Sequence, residues 1–87
     1  MDTLEYRFEK AVEKANASKN TEKSISNQVL LELYSYFKQS TIGDNETEKP
    51  SFINVKQRAK WDSWKRKEGL LDRAAMREYI RLVDEHF

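Results

Sequence analysis

Two glycines and one proline in 87 residues leave this chain few places to turn. Glycine supplies the left-handed backbone that tight turns need, and proline stops helices. A chain with so few of them is built from long elements joined by few breaks. No run alternates apolar and polar residues as a half-buried strand would. The sequence therefore predicts an all-α protein, and helical periodicity divides it into four stretches.

The first stretch covers residues 2–17, where Leu4, Phe8, Ala11, Val12 and Ala15 recur at i, i+4, i+7, i+8 and i+11. The polar run Ser18 to Asn27 reads as a loop, with Asn27 as N-cap of a second helix over 28–41. Val29, Leu30, Leu33, Tyr34 and Phe37 give that helix its apolar face, with Leu31 on a flank, and Gly43 ends it. Residues 43–53 form a loop with Pro50 and the acids Asp44, Glu46 and Glu48, which read as solvated. Asn54 opens the third helix with Gln57 as its capping-box partner, and the helix runs to Lys67 before Gly69. The fourth begins at Leu71 or Asp72 and reaches the C-terminus on a stripe of Ala75, Tyr79, Ile80 and Val83. The expected architecture is a four-helix bundle, one domain over residues 1–87.

A chain of this length builds one core. Sixteen basic against fifteen acidic side chains give a net charge of +1. No global field draws a polyanion, so anion binding must come from local clustering. No cysteine is present, which excludes disulfide and thiolate chemistry and suits a reducing compartment. Residues 1–14 hold no long apolar run, so neither a signal peptide nor a membrane span is expected, and a cytoplasmic location is. No long apolar stripe is left over after one core is built, which predicts a monomer.

Catalysis finds no residues to carry it. The single histidine, His86, stands beside the C-terminus, where chains fray. No serine has a local context that would activate it. The acidic loop lacks the glycine and closing glutamate of a calcium site. The chain is expected to be no enzyme and to need neither metal nor cofactor.

Lysines interleaved with aromatic rings carry the remaining signal. Tyr34, Phe37 and Lys38 fall at i, i+3 and i+4, on one helix face. Lys56 and Lys60 repeat the i, i+4 spacing beside Trp61. Lysines give phosphate a point charge, and rings give a nucleobase a flat face. That pattern suits a phosphorylated, base-bearing ligand. Tyr34 and Tyr79 suit core positions equally well, and Trp64, close to the phase of Val55 and Ala59, reads as structural. An alternative is an interaction module for nucleic acid or an anionic membrane. It rests on the third helix, where Lys56, Arg58, Lys60, Lys65, Arg66 and Lys67 face one acid, Asp62. The balanced net charge and the rings between the lysines weigh against it.

The runs YSYFKQSTIGD, EKP and RAKWDSW resemble the acyl-CoA-binding protein family, whose pattern includes YxxYKQATxGD, a proline loop and KAKWDAW. The resemblance extends back to Phe8-Glu9-Lys10-Ala11 and forward through Gly69, Ala75-Met76 and Tyr79-Ile80. It implies a four-helix carrier of long-chain fatty acyl-CoA that makes no stable membrane insertion and meets acyl-CoA-using enzymes transiently. Tyr34 resembles the tyrosine whose hydroxyl meets the ribose phosphate of CoA, and Lys38 and Lys60 the lysines that neutralise it. Phe37 stands where the family stacks a tyrosine on adenine. Tyr79 resembles the fourth-helix tyrosine against the nucleotide, and Lys56 a lysine near the phosphates. Val12, Leu30 and Leu31 match positions that line the acyl groove. The chain departs from the family at Phe37, which lacks the hydroxyl, and at Leu71, which replaces a small polar cap. The loop between helices one and two is about three residues longer, so the resemblance leaves open whether Lys14 or Asn16 matches the first-helix lysine. The Lys65-Arg66-Lys67 cluster is more basic than the family's and reads as a solvated helix end that complements the helix dipole.

Overall fold

The computed structural model describes residues 2–18 and 24–87. Its helices are α1 (Leu4–Ala17), α2 (Asn27–Thr41), α3 (Val55–Lys65) and α4 (Asp72–His86), with no strand among the described residues. Residues 19–23, within the run expected to be a loop, lie outside the described residues.

Local hydrogen bonds decide where the helices start. Thr3 is extended and its hydroxyl accepts from the Tyr6 N–H at 3.1 Å, so α1 begins at Leu4 and not at residue 2. Ser26, not Asn27, caps α2. Its hydroxyl accepts from the Val29 N–H at 3.2 Å, which makes Asn27 the first helical residue. The capping box expected at Asn54 and Gln57 does not form, because the Asn54 side chain makes no capping bond. α3 stops at Lys65, two residues earlier than expected. The Lys67 and Glu68 N–H groups reach back only three residues, to the Trp64 and Lys65 carbonyls at 2.9 and 3.1 Å. Gly69 (φ +89°) and Gly43 (φ +101°) hold the left-handed backbone beyond α3 and α2.

Helix directions follow from a few contacts. α4 lies against both α1 and α2, and α3 packs on α2. Arg73 meets Glu5 at 2.6 Å and Tyr79 meets Phe8 at 5.2 Å between ring centres, so α1 and α4 run parallel. Tyr79 also faces Phe37, while Gln39 Nε2 donates to the Leu70 carbonyl at 3.0 Å, so α2 runs antiparallel to α4. Lys60 stands over the Tyr34 ring and Lys38 over the Trp64 ring, so α2 and α3 run parallel. Parallel neighbours need a long crossover. Residues 42–54 supply it, returning the chain from the end of α2 to its start.

The core joins Phe8, Ala11, Leu33, Tyr79, Ile80, Leu82 and Val83. The α4 stripe lies in it or beside it as expected, and Leu82 joins it from outside the stripe. Trp64 is structural as expected, but not by a phase shared with Val55, which stands on the opposite side of the helix and is exposed. Trp64 is 4% exposed, and its Nε1 donates to the Gly43 carbonyl at 2.8 Å.

The crossover is pinned by side chains. Buried Asn45 donates to the Trp61 carbonyl at 3.2 Å and accepts from the Thr47 N–H at 3.0 Å. Asp44, expected to be merely solvated, is a clasp. Its Oδ1 accepts from the Gly69 N–H and from Gln39 Nε2, both at 2.8 Å. The Gly69 N–H first, then Gln39, hold the Asp44 carboxyl below the usual carboxylate range. A depressed folded-state pKa stabilises the fold above the ordinary aspartate value, and that stabilisation is lost as pH falls through the folded value. Asp44→Asn is therefore expected to lower the melting temperature at neutral pH and to flatten its decline below about pH 4. Melting curves of both proteins across that range check this, and parallel declines would remove Asp44 from the acid response.

Of the eight large apolar side chains that remain exposed among the described residues, Phe52, Ile53 and Val55 stand together in the sequence. They sit in the turn that opens α3, where periodicity gives no sign of burial or exposure. The Lys65-Arg66-Lys67 cluster is not simply solvated. Lys67 reaches Glu32 of α2 at 2.7 Å and lies 4.5 Å over the Tyr36 ring, Lys65 pairs with Glu68 at 2.9 Å, and Arg66 donates to Ser63 at 3.3 Å.

Candidate ligand-binding site

α2 projects Tyr34 between its neighbours, and the ring becomes a ridge with a cleft on each side. The first cleft, about 510 Å³, opens beside α1 and α4 and is walled by Val12, Leu33, Phe37, Tyr79 and Phe87. The second, about 300 Å³, opens towards α3 and is walled by Leu31, Val55, Lys56, Ala59 and Lys60. Leu30 and Tyr34 border both. Both volumes fall in the range of small-molecule sites.

Positive charge gathers at the ridge. Lys38 Nζ lies 5.9 Å from the centre of the Tyr34 ring, and Lys60 Nζ, from α3, lies 5.5 Å from it. Lys38 also stands 5.1 Å over buried Trp64. Lys38, Lys56 and Lys60 enter no ion pair among the described residues, whereas Arg58, Lys65 and Lys67 pair with Asp62, Glu68 and Glu32. The third helix therefore offers no uniformly free basic face. Its unpaired lysines turn to the cleft, and much of its remaining charge is committed within the protein. Nothing in this arrangement adds support to the nucleic-acid or membrane alternative.

The aromatic wall is continuous with the core. Phe37 is 37% exposed, and its ring stacks 6.2 Å from Phe8 and lies tilted 6.2 Å from Tyr79. Its remaining surface borders the first cleft, where a flat ring can stack. Tyr79 is only 5% exposed, yet it borders the same cleft. Burial pushes its phenol pKa up, so the hydroxyl stays a donor at neutral pH. Core membership and cleft lining, alternatives in the sequence, coincide at this residue.

The fold brings the nine candidate residues together. Val12, Leu30, Tyr34, Phe37 and Tyr79 border the first cleft, and Leu30, Leu31, Tyr34, Lys56 and Lys60 the second. Lys38 caps the ridge between them. Asn16 borders the first cleft, while Lys14 lies in a separate groove with Arg7 and Ile80. Sequence reasoning missed Phe87, Val55 and Ala59 as cleft residues. Val55 and Ala59 lie one turn apart on a face turned away from Trp64, so the burial of the tryptophan gave no sign of them, and Phe87 gave no signal because a chain end has no periodicity to extend. Among the described residues no group of three or more His, Asp or Glu side chains could hold a metal ion, and no helix is long and apolar enough to cross a membrane.

The geometry sets two lysines without ion pairs on a ridge, with an aromatic-walled cleft on one side and a more aliphatic one on the other. The sequence pattern of the family described as "Acyl CoA binding protein" matches residues 5–83. The acyl-CoA-binding protein of Saccharomyces cerevisiae is 45% identical over 73 residues, covering 84% of this chain and 84% of its own. Acyl-CoA-binding protein homolog 1 of Caenorhabditis elegans is 46% identical over 67 residues, covering 77% of this chain and 78% of its own. The crystal structure of Oryza sativa acyl-CoA-binding protein 2 superposes with a TM-score of 0.86 at 40% identity, covering 97% of this chain and 90% of that one.

Proposed function

We propose that this chain, which belongs to the acyl-CoA-binding protein family, carries medium- and long-chain acyl-CoA esters and makes or breaks no bond. The Tyr34 ridge carries the reading: two lysines without ion pairs flank its ring, between an aromatic cleft and an apolar one. An acyl-CoA ester has the same order of parts, with base, phosphate and hydrocarbon in sequence. We assign the base to the first cleft against Phe37 and Tyr79, and the ribose phosphate to Tyr34, Lys38 and Lys60. Lys56 stands near the remaining phosphates. The tail enters the second cleft over Leu30 and Leu31, while Val12, matched to the acyl groove by resemblance, borders the first cleft. The same reading makes the protein a monomeric cytoplasmic carrier that meets acyl-CoA-using enzymes in transient contacts.

The two halves of the ligand contribute differently. Charge-assisted hydrogen bonds to phosphate give about 1.5–3 kcal/mol each. A tail gains about 0.8 kcal/mol per methylene removed from water, before ordering costs. The expected order of affinity is long-chain acyl-CoA, then short-chain acyl-CoA, then free CoA, with free fatty acid weakest because it lacks the head. Calorimetric titration with palmitoyl-CoA, octanoyl-CoA, CoA and palmitate at one salt concentration tests it. Palmitoyl-CoA should also give a large negative heat-capacity change. No heat with either ester would overturn the function.

A further inference from the structure

A further pocket lies between the end of α2 and the start of α4. It holds about 440 Å³ and shares no lining residue with either cleft. Gln39 lines it and is only 1% exposed. Gln39 Nε2 donates to Asp44 Oδ1 and to the Leu70 carbonyl, and both partners can only accept. The amide nitrogen is thus fixed towards them and the amide oxygen away. That oxygen, Oε1, is buried and meets no donor among the described residues. A buried acceptor without a donor is costly, and a ligand that donates to it recovers the loss.

The rest of the lining is also rich in acceptors. The carbonyls of Gln39, Ser40 and Thr41 come after the last ones bonded within α2 and accept no hydrogen bond among the described residues. They place the negative end of the helix dipole at the pocket. Asp44 and Asp72 add two carboxylates, and no lysine or arginine lines it. The start of α4 brings the opposite dipole, which Asp72 offsets by accepting from the Arg73 N–H at 2.7 Å. Two apolar side chains flank this polar floor: Ile42 is 62% exposed and Leu71 75%. Leu71 is also the N-cap of α4, where it makes no capping bond. A leucine there serves the helix poorly, so the helix does not account for it.

We propose that this pocket docks a lysine-bearing segment of a partner protein. The ammonium donates to Gln39 Oε1 and to the Asp44 and Asp72 carboxylates, while its stem lies between Ile42 and Leu71. A lysine side chain has both parts, three N–H donors on a four-carbon stem. A bare metal ion leaves the apolar flanks unused. Because the pocket lies apart from both clefts, the protein holds partner and acyl-CoA at once. Docking here goes beyond the acyl-CoA reading and does not depend on it.

The test is an NMR titration of the wild-type chain with the blocked peptide acetyl-Ala-Leu-Lys-Leu-Ala-amide, and with the same peptide carrying norleucine for lysine. The expected result is shifts of backbone amides within residues 39–44 and 69–72. Losing the charge-assisted bonds of the ammonium makes the norleucine peptide bind about tenfold more weakly. Asp72→Asn and Leu71→Ser, both at exposed positions, each weaken binding of the lysine peptide by about threefold. Melting curves confirm that both variants keep the fold. The same shifts are expected in protein saturated with palmitoyl-CoA. Equal binding of the two peptides, or no effect of either variant, overturns the docking site. If calcium chloride alone produces the same shifts and displaces the peptide, the pocket is a cation site and the docking is wrong. If palmitoyl-CoA abolishes the peptide shifts, simultaneous docking is wrong. Failure to bind palmitoyl-CoA with peptide binding intact overturns the carrier reading and leaves the docking site standing.

Discussion

Lys38→Ala is expected to weaken octanoyl-CoA, palmitoyl-CoA and free CoA by one common factor, about ten- to a hundredfold. The factor is common because Lys38 stands on the ridge, where all three ligands carry the same phosphate, and borders neither apolar wall. A residue of the tail cleft behaves differently. Truncating Leu31 should cost palmitoyl-CoA more than octanoyl-CoA and free CoA nothing. The structural cost of losing Lys38 is limited. Its ammonium lies over Tyr34 and Trp64 at 5.9 and 5.1 Å, cation–π contacts worth about 0.5–1 kcal/mol at partly exposed sites. With no ion pair to break among the described residues, melting should drop by about 4–8 °C. Calorimetry of the three ligands and a melting curve decide the matter together. A large drop in melting with affinity preserved would make Lys38 a structural residue and move the phosphate seat elsewhere.

What was legible in the sequence is what stays local along the chain. The stripe of Ala75, Tyr79, Ile80 and Val83 specifies both a helix and its buried face, because a 3.6-residue period needs no knowledge of neighbours. Tyr34, Phe37 and Lys38 were certain to share a face once α2 was recognised. The meeting of Lys38 with Lys60 over Tyr34 is different. Periodicity put each lysine on its own helix, and only the family resemblance placed them on one phosphate. Helix direction was equally hidden, since a stripe reads the same in parallel and antiparallel pairs. The failures share that cause. The Asp44 clasp needs Gly69, twenty-five residues on, and Lys67 needs Glu32, thirty-five residues back. Ser26 and Asn27 are adjacent residues of nearly equal capping strength, so composition could not choose between them.

The largest effect on stability is expected at Trp64. α3 packs on α2 and makes no comparable contact with α1 or α4. Its only fully buried residues are Ser63 and Trp64. Trp64 is thus the main apolar anchor of the helix, and its indole N–H also satisfies the Gly43 carbonyl at the turn that ends α2. Trp64→Ala removes both. Truncating a buried tryptophan costs about 3–5 kcal/mol. In a domain of this size that lowers melting by about 15–30 °C, a large share of total stability. Trp64→Phe keeps an apolar ring but leaves the Gly43 carbonyl without its donor, a cost nearer 1–3 kcal/mol. Hydrogen exchange separates local from global loss. Amides of α3 in Trp64→Ala should lose protection before those of α1 and α4, because the Phe8, Tyr79 and Val83 core does not depend on α3. Palmitoyl-CoA affinity should fall with α3 order, since that helix forms one wall of the tail cleft and presents Lys60 to the ridge. If Trp64→Ala melts like wild type with α3 amides still protected, the Asn45–Trp61 and Asp44–Gly69 bonds of the crossover hold α3, and the tryptophan is a filler.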